Sequence, residues 1–429
     1  MTALEHPRDE LLRFMDRIYR LRMTTTSGGN LSIREDNGDV WITPARLDKG
    51  ALRRDDVVLV KADGTIEGRH RPSSELPFHQ AIYAARPDIR SIVHAHPVAL
   101  VAFSICRQVP DVRVLNQSAR ICGEVGFAPY ALPGSSALGR NIAETFAKGH
   151  HCVVLENHGV VTGGDCLQSA FDRFETLEFA AKTVIKASHL GAVRYLGDSQ
   201  IGAPASVGRR GSFGGAPTTR AVGSREKELR RQIVDFVRRS YQQRLMISTQ
   251  GALSARLSET EFLITPHRVD RNHLAAEDIV LITNGEPESG QTPSSSTASH
   301  RAIYQQQPGV EAVINAYPVN ATAFSVTDSD LDTRTIPESY IFLRDVQRSP
   351  FGSRVGDGRE LADRMRIDQP IMLLDNDGVM VVGTSVLDAF DRLEVLESTA
   401  EAMINSRALG PLVPMSDAVI DELKAAFFK

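Results

Sequence analysis

Leu11, Leu12, Met15, Ile18 and Leu21 recur at the three- and four-residue spacing of one helical face, and charged residues fill the gaps between them. The opening of the chain therefore predicts an amphipathic surface helix rather than the uninterrupted apolar core of an export signal. Farther on, the β-branched runs Val57 to Val60, Ile92 to Val93 and Cys152 to Leu155 predict short strands, which alternate with longer helical stretches. Two long helices are predicted at about Leu167 to Leu190 and Val386 to Leu409. In each, acidic residues come early and basic ones late, and Gly191 or Gly410 supplies a stop. Alternating strands and helices of this kind predict a mixed α/β layer fold.

The same pattern occurs twice. ITPARLDKGALRRDDVVLV, beginning at Ile42, returns as ITPHRVDRNHLAAEDIVLI, beginning at Ile264. RPSSELPFHQAIY, IVHAHPVALVAFSI, VLENHGVVTGG and SAFDRFETLE are echoed in the same order by TPSSSTASHRAIY, VINAYPVNATAFSV, LLDNDGVMVVG and DAFDRLEVLE. Two copies of one domain follow. Residues 200–224, rich in Gly, Ala and Ser without apolar periodicity, predict a flexible linker between a first domain at 1–199 and a second at 225–429.

Composition narrows the setting. A chain of 429 residues with 42% hydrophobic content is that of an ordinary globular protein. The 49 Lys and Arg nearly balance 53 Asp and Glu, so net charge gives no reason to expect nucleic acid or an anionic membrane as partner. No apolar run approaches the roughly 20 residues that span a bilayer. Cys106, Cys122, Cys152 and Cys166 show no C-x-x-C spacing, which fits reduced thiols in a cytoplasmic protein.

The chemistry lies in the first copy. In SIVHAHP, His94 and His96 are separated by one residue on a strand-like run, so both imidazoles project from one face. That is chelating geometry for zinc or another divalent transition metal, and His158, in ENHGVV, is the candidate third ligand. An H-x-H pair by itself also fits packed or solvent-facing histidines. The second copy weighs against packing, because it holds Asn315, Tyr317 and Asp377 at these places while the flanking apolar pattern survives.

Glu75, in PSSE, is likewise replaced by Ser296. A carboxylate beside a divalent cation can take a carbon-bound proton while the metal stabilises the resulting enediolate. The same residue also fits a helix-start role beside Ser73 and Ser74. Gly28, Gly29 and Asn30 form a turn able to hold an anion, and Asn30 becomes Ala252 in the second copy. Ser73 and Ser74 could serve the same anion or simply cap the helix. Arg46 and Lys49 could bind a phosphate or carboxylate, or lie on a solvated surface.

GGN, ITP, DKG, PSSE, HAHP and NHG, in that order, resemble the class II aldolase/adducin family. The resemblance implies a three-layer fold with a central, mostly antiparallel sheet. It makes His94, His96 and His158 zinc ligands and Glu75 the acid/base, and sets Asn30, Thr43, Ser73 and Ser74 where family enzymes hold substrate phosphate. It implies an aldolase-type lyase acting on a small polyhydroxy substrate, a sugar phosphate or a hydroxy acid. An epimerase, a decarboxylase or a non-catalytic adducin-like interaction protein is the alternative. The family's fourfold rings suggest a homo-oligomer, in which a dimer of this chain forms a pseudo-fourfold ring with the second copy as a structural partner. Ala45 and Arg46 depart from the small, glycine-containing turn of family phosphate binders. No tyrosine occurs in VRVLNQSARICGEV, where the aldolases' proton donor is expected, leaving Tyr130, Tyr317 and Tyr340.

Overall fold

The computed structural model describes residues 5–201, 221–288 and 290–428. Of the expected linker, residues 202–220 lie outside the described residues, and its flanks begin and end in helix, Asp198–Ile201 and Ser224–Gln242. The chain divides into two compact units, Met1–Arg113 with Gln117–Lys182, and Val114–Asn116 with Thr183–Lys429.

The first unit opens with the amphipathic helix Pro7–Arg20, whose Leu11, Phe14, Met15 and Ile18 are buried. Its sheet comprises β1 (Asn30–Arg34), β2 (Val40–Ile42), β3 (Val58–Val60), β4 (Ile66–Glu67), β5 (Ser91–Ala95), β6 (Val125–Ala128), β7 (Cys152–Leu155) and β8 (Gly159–Gly164). Their order across the sheet is β4-β3-β2-β1-β5-β8-β7-β6, and every pairing is antiparallel except β6 with β7. The second unit repeats this arrangement with β9 (Ala252–Arg256), β10 (Glu261–Ile264), β11 (Val280–Thr283), β12 (Glu286–Pro287), β13 (Ala312–Ala316), β14 (Gln347–Ser349), β15 (Ile371–Leu374) and β16 (Gly378–Gly383). Its order is β12-β11-β10-β9-β13-β16-β15-β14, with the β14–β15 pair parallel.

Neither order follows the chain: β1 pairs with β5 and β5 with β8, across intervening helices. This register sets Asn30 directly opposite His94 on neighbouring strands, and in the second unit Ala252 opposite Asn315. The helix Leu76–Ala85 packs Phe78, Ile82 and Tyr83 against Ile92, Val153 and Val161 of this sheet. Burying a side chain such as Phe78 contributes about 2–3 kcal/mol, so the helix is firmly seated, and with it the residue that precedes it, Glu75. Among the described residues no helix is long and apolar enough to cross a membrane.

Candidate metal centre

β5 ends at Ala95, one residue before His96, yet both histidines turn to the same side, their ring centroids 4.9 Å apart. His158 arrives from the turn between β7 and β8. There Asn157 takes a positive φ of 52°, and the His158 amide donates to Ser104 Oγ at 2.9 Å. Its ring lies 5.0 Å from that of His94 and 5.1 Å from that of His96. Gly159 lets this turn close on β5, because a Cβ there would meet Ala95 O at 2.6 Å and His96 Cδ2 at 2.7 Å. Gly29 does the same on the other side, at φ 70°, with His94 O 2.7 Å from where its Cβ would stand. One nitrogen from each ring lies within 4.8 Å of the other two.

Glu75 completes the cluster. Its Oε2 lies 3.0 Å from His94 Nε2 and accepts from Asn30 Nδ2 at 2.8 Å, while Oε1 lies 3.4 Å from His158 Nε2. As the residue before the helix it makes no side-chain cap, so the helix-start role belongs to its backbone alone. Burial would raise the Glu75 carboxyl, but the charge and hydrogen bond of His94, with His158 and Asn30 adding, hold it well below the usual range. Burial opposes a proton on His94, and Glu75 overrides it and raises that imidazole.

His96 and His158 go the other way. Burial, with the charge of His94 adding, pushes them down to about 3 and about 4, so both are neutral at neutral pH. His94 Nδ1 faces Val160 O at 2.9 Å, which places the Nδ1 proton there and turns Nε2 toward the cluster. His96 Nε2 is buried with no hydrogen-bond partner. Three converging imidazoles, one with an orphaned nitrogen, fit a divalent cation of borderline softness better than a hard one.

The other candidate residues divide. Asn30 directs its amide at Glu75 rather than at a free anion. Thr43 is fully buried, and its hydroxyl accepts from Leu31 N at 3.1 Å; Thr265 makes the same bond with Leu253 N at 3.3 Å in the second copy. Ser73 Oγ accepts from Glu75 N at 3.2 Å, again matched by Ser294 with Ser296 N. Ser74 and Arg46 are exposed, and Arg46 holds a positive φ of 57°. Lys49 is not a surface cation: its Nζ donates to Pro44 O at 2.6 Å, and burial lowers it to about 8. Tyr317 and Tyr340 are buried in the second unit, whereas Tyr130 is exposed on the loop after β6.

The second copy keeps the shape of this centre without its ligands. Asn315 Nδ2 donates to Val379 O at 3.0 Å, reproducing the bond that His94 Nδ1 makes to Val160 O. Asn315 Oδ1 accepts from Ser296 Oγ at 3.2 Å. Into the same place comes Arg354, on the segment after β14. Its Nε and Nη2 donate to Asp377 at 2.7 and 2.8 Å, and its Nη1 to Ser296 Oγ at 3.1 Å. A guanidinium thus supplies the positive charge in a pocket whose counterpart converges on a cation site. No reading of the sequence singled out Arg354; its one signal is a basic residue where the first copy has Pro133.

Behind this pocket lies His300, fully buried, its Nε2 without a partner and its pKa pushed down to about 3 by burial, with Arg354 adding. Unfolded, this histidine takes a proton near pH 6.5; folded, it does so only near 3. The stability it contributes is therefore complete above pH 6.5 and is lost as the pH falls from there toward 3. Chemical denaturation at pH 8 and pH 5 is expected to show a loss about 2 kcal/mol smaller in His300→Gln than in the unaltered chain. Equal losses in both would contradict a neutral buried imidazole.

The model of the family described as Class II Aldolase and Adducin N-terminal domain matches residues 9–185 and again residues 231–404. A 5-deoxy-D-ribulose 1-phosphate aldolase from Bacillus thuringiensis serovar kurstaki is 31% identical over 201 residues, covering 46% of this chain and 93% of that protein. A 3-oxo-tetronate 4-phosphate decarboxylase from Haemophilus influenzae is 30% identical over 197 residues, covering 45% and 93%. Among solved structures, an L-fuculose 1-phosphate aldolase is 30% identical over 46% of this chain and 94% of its own, with a TM-score of 0.43. Matched twice along most of its length, the chain belongs to the class II aldolase and adducin N-terminal domain family, present here as a tandem pair whose first copy carries the histidine cluster.

Proposed function

We propose that the first copy is a zinc-dependent, aldolase-type lyase acting on a small polyhydroxy substrate, and that the second copy is structural. The observation that carries this reading is the junction of three imidazoles with one buried carboxylate. His94, His96 and His158 would hold the cation, and an all-imidazole donor set favours zinc or another borderline transition metal over magnesium or calcium. When bound, such a cation acts as a Lewis acid that draws negative charge onto adjacent substrate oxygens.

The protein's own groups supply the rest. Glu75 Oε2 accepts from Asn30 Nδ2, so Oε1 is the oxygen free to accept a substrate proton and return it. Val160 O fixes the tautomer of His94. The exposed Ser74 hydroxyl and Arg46 guanidinium are the groups we assign to an anionic end of the substrate. The names of both relatives given above carry a phosphate ester, which supports that assignment. Because the second copy lacks ligands, it would complete an assembly, with a dimer bringing four copies into one ring.

Metal analysis of the purified chain is expected to find about one zinc per chain, since three protein ligands are present in the first copy only. His96→Ala should lower the affinity at least about 100-fold, the upper end of the loss seen when outer-shell partners alone are removed. A chain that retains no divalent metal at neutral pH would leave the adducin-like interaction role in place of the enzyme. A decarboxylase on the same centre is the second reading, favoured by the 30% identity to one. Product analysis on sugar phosphates and on 3-oxo acids separates the two, carbon dioxide release marking the second.

A further inference from the structure

The helix Leu76–Ala85 turns two polar side chains, His79 and Tyr83, onto the sheet, and both are buried. Residues four apart share a helix face, and each buried polar group left without a partner costs about 1–3 kcal/mol. Ser32 on β1 answers both: its Oγ lies 2.7 Å from His79 Nδ1 and 2.6 Å from Tyr83 OH. The other ring nitrogen, His79 Nε2, lies 2.5 Å from Asn30 Oδ1, and Asn30 Nδ2 donates to Glu75 Oε2 at 2.8 Å. Four contacts run unbroken from the Tyr83 phenol to the Glu75 carboxylate.

The direction of every proton in this row follows from its last member. An ionised carboxylate only accepts, so Asn30 must present its NH2 to Glu75 and its carbonyl to His79. A carbonyl also only accepts, so His79 Nε2 carries the proton. Burial pushes His79 down to about 3, so the ring is neutral and Nδ1 is an acceptor. The Ser32 hydroxyl then donates to Nδ1, and Ser32 Oγ accepts from Tyr83. With its carbonyl held by His79, the Asn30 amide cannot rotate to set an oxygen against Glu75.

The second copy is the internal control. Ser254 Oγ lies 2.8 Å from His300 Nδ1 and 2.7 Å from Tyr304 OH, so the hydroxyl, imidazole and phenol persist. Ala252 and Ser296 replace the amide and the carboxylate, and His300 Nε2 is left with no partner. The hydroxyl, imidazole and phenol therefore belong to the fold, and only the link from imidazole through amide to carboxylate accompanies the metal centre. We propose that His79 is a positioning residue for the proton-transfer chemistry: through Asn30 it holds Glu75 with Oε2 engaged and Oε1 free. This rests on the enzymatic role given to Glu75 above.

Two measurements test it. Ring-nitrogen NMR of the metal-free chain is expected to show His79 protonated at Nε2 and bare at Nδ1; the opposite tautomer overturns the proposal. This reading needs neither metal nor substrate, so it is separable from any failure of the enzymatic reading. In the zinc-loaded chain, His79→Phe is expected to retain metal and KM while kcat falls about 10- to 100-fold, the usual cost of losing an outer-shell partner. His79→Gln, which can still donate to Asn30, should recover most of it. Unchanged kcat in His79→Phe, or loss of metal with it, overturns the proposal. If that variant does not fold, Asn30→Ala breaks the same link at a position where the second copy already carries alanine, and must lower kcat.

Discussion

Glu75→Gln is expected to lower turnover by about 100- to 10,000-fold, the usual contribution of a positioned general base, while the metal content stays at the level of the unaltered chain. Glutamine has nearly the same shape as glutamate. Its carbonyl can take the place of Oε2 and accept from Asn30, and its NH2 then replaces Oε1. The pocket is thus filled, and what disappears is the one oxygen able to receive a proton. Turnover on the substrate identified by product analysis, measured beside zinc content, checks this. Full activity would move proton transfer to another group, and loss of zinc together with activity would make the carboxylate a structural member of the metal centre.

Arg354→Ala is expected to destabilise the second unit by about 3–5 kcal/mol, because it leaves Asp377 as an uncompensated buried charge. Arg354 and Asp377 have side-chain exposures of 8% and 6%, so solvent cannot take over the role of the lost partner. Removing both charges, as in Arg354→Met with Asp377→Leu, should restore most of the loss, since well-packed apolar residues commonly replace a buried ion pair at little cost. Chemical denaturation followed by a probe in the second unit reads both variants. Zinc content should be the same in both, as every candidate ligand lies in the first unit. A cost below about 1 kcal/mol for the single variant would remove the guanidinium from its role as the internal cation of this pocket.

The duplicated motifs were legible in the sequence because each is a local string, and strand β7 runs from Cys152 to Leu155 as the apolar run predicts. The long helices end a little earlier than expected, at Ser188 and Ser406. Comparing the copies isolated His94, His96, His158, Glu75 and Asn30 because they differ between the halves. The same comparison hid Ser32, His79 and Tyr83, since a residue shared by both copies leaves no contrast. The resemblance, not this comparison, set Thr43 and Ser73 in a pocket, and their hydroxyls accept from backbone amides in both units.

Periodicity and the repeat by themselves determined two α/β copies and a single complete set of ligand-type residues, and the motif string carried the resemblance to the family. Tertiary structure alone decided which buried polar groups meet. Asn30 faces His94 because β1 lies beside β5, far along the chain, and Arg354 meets Asp377 because the segment after β14 comes to the turn between β15 and β16. Hydrophobic periodicity is written into neighbouring residues, whereas a buried donor takes whatever acceptor the strand order brings within about 3 Å.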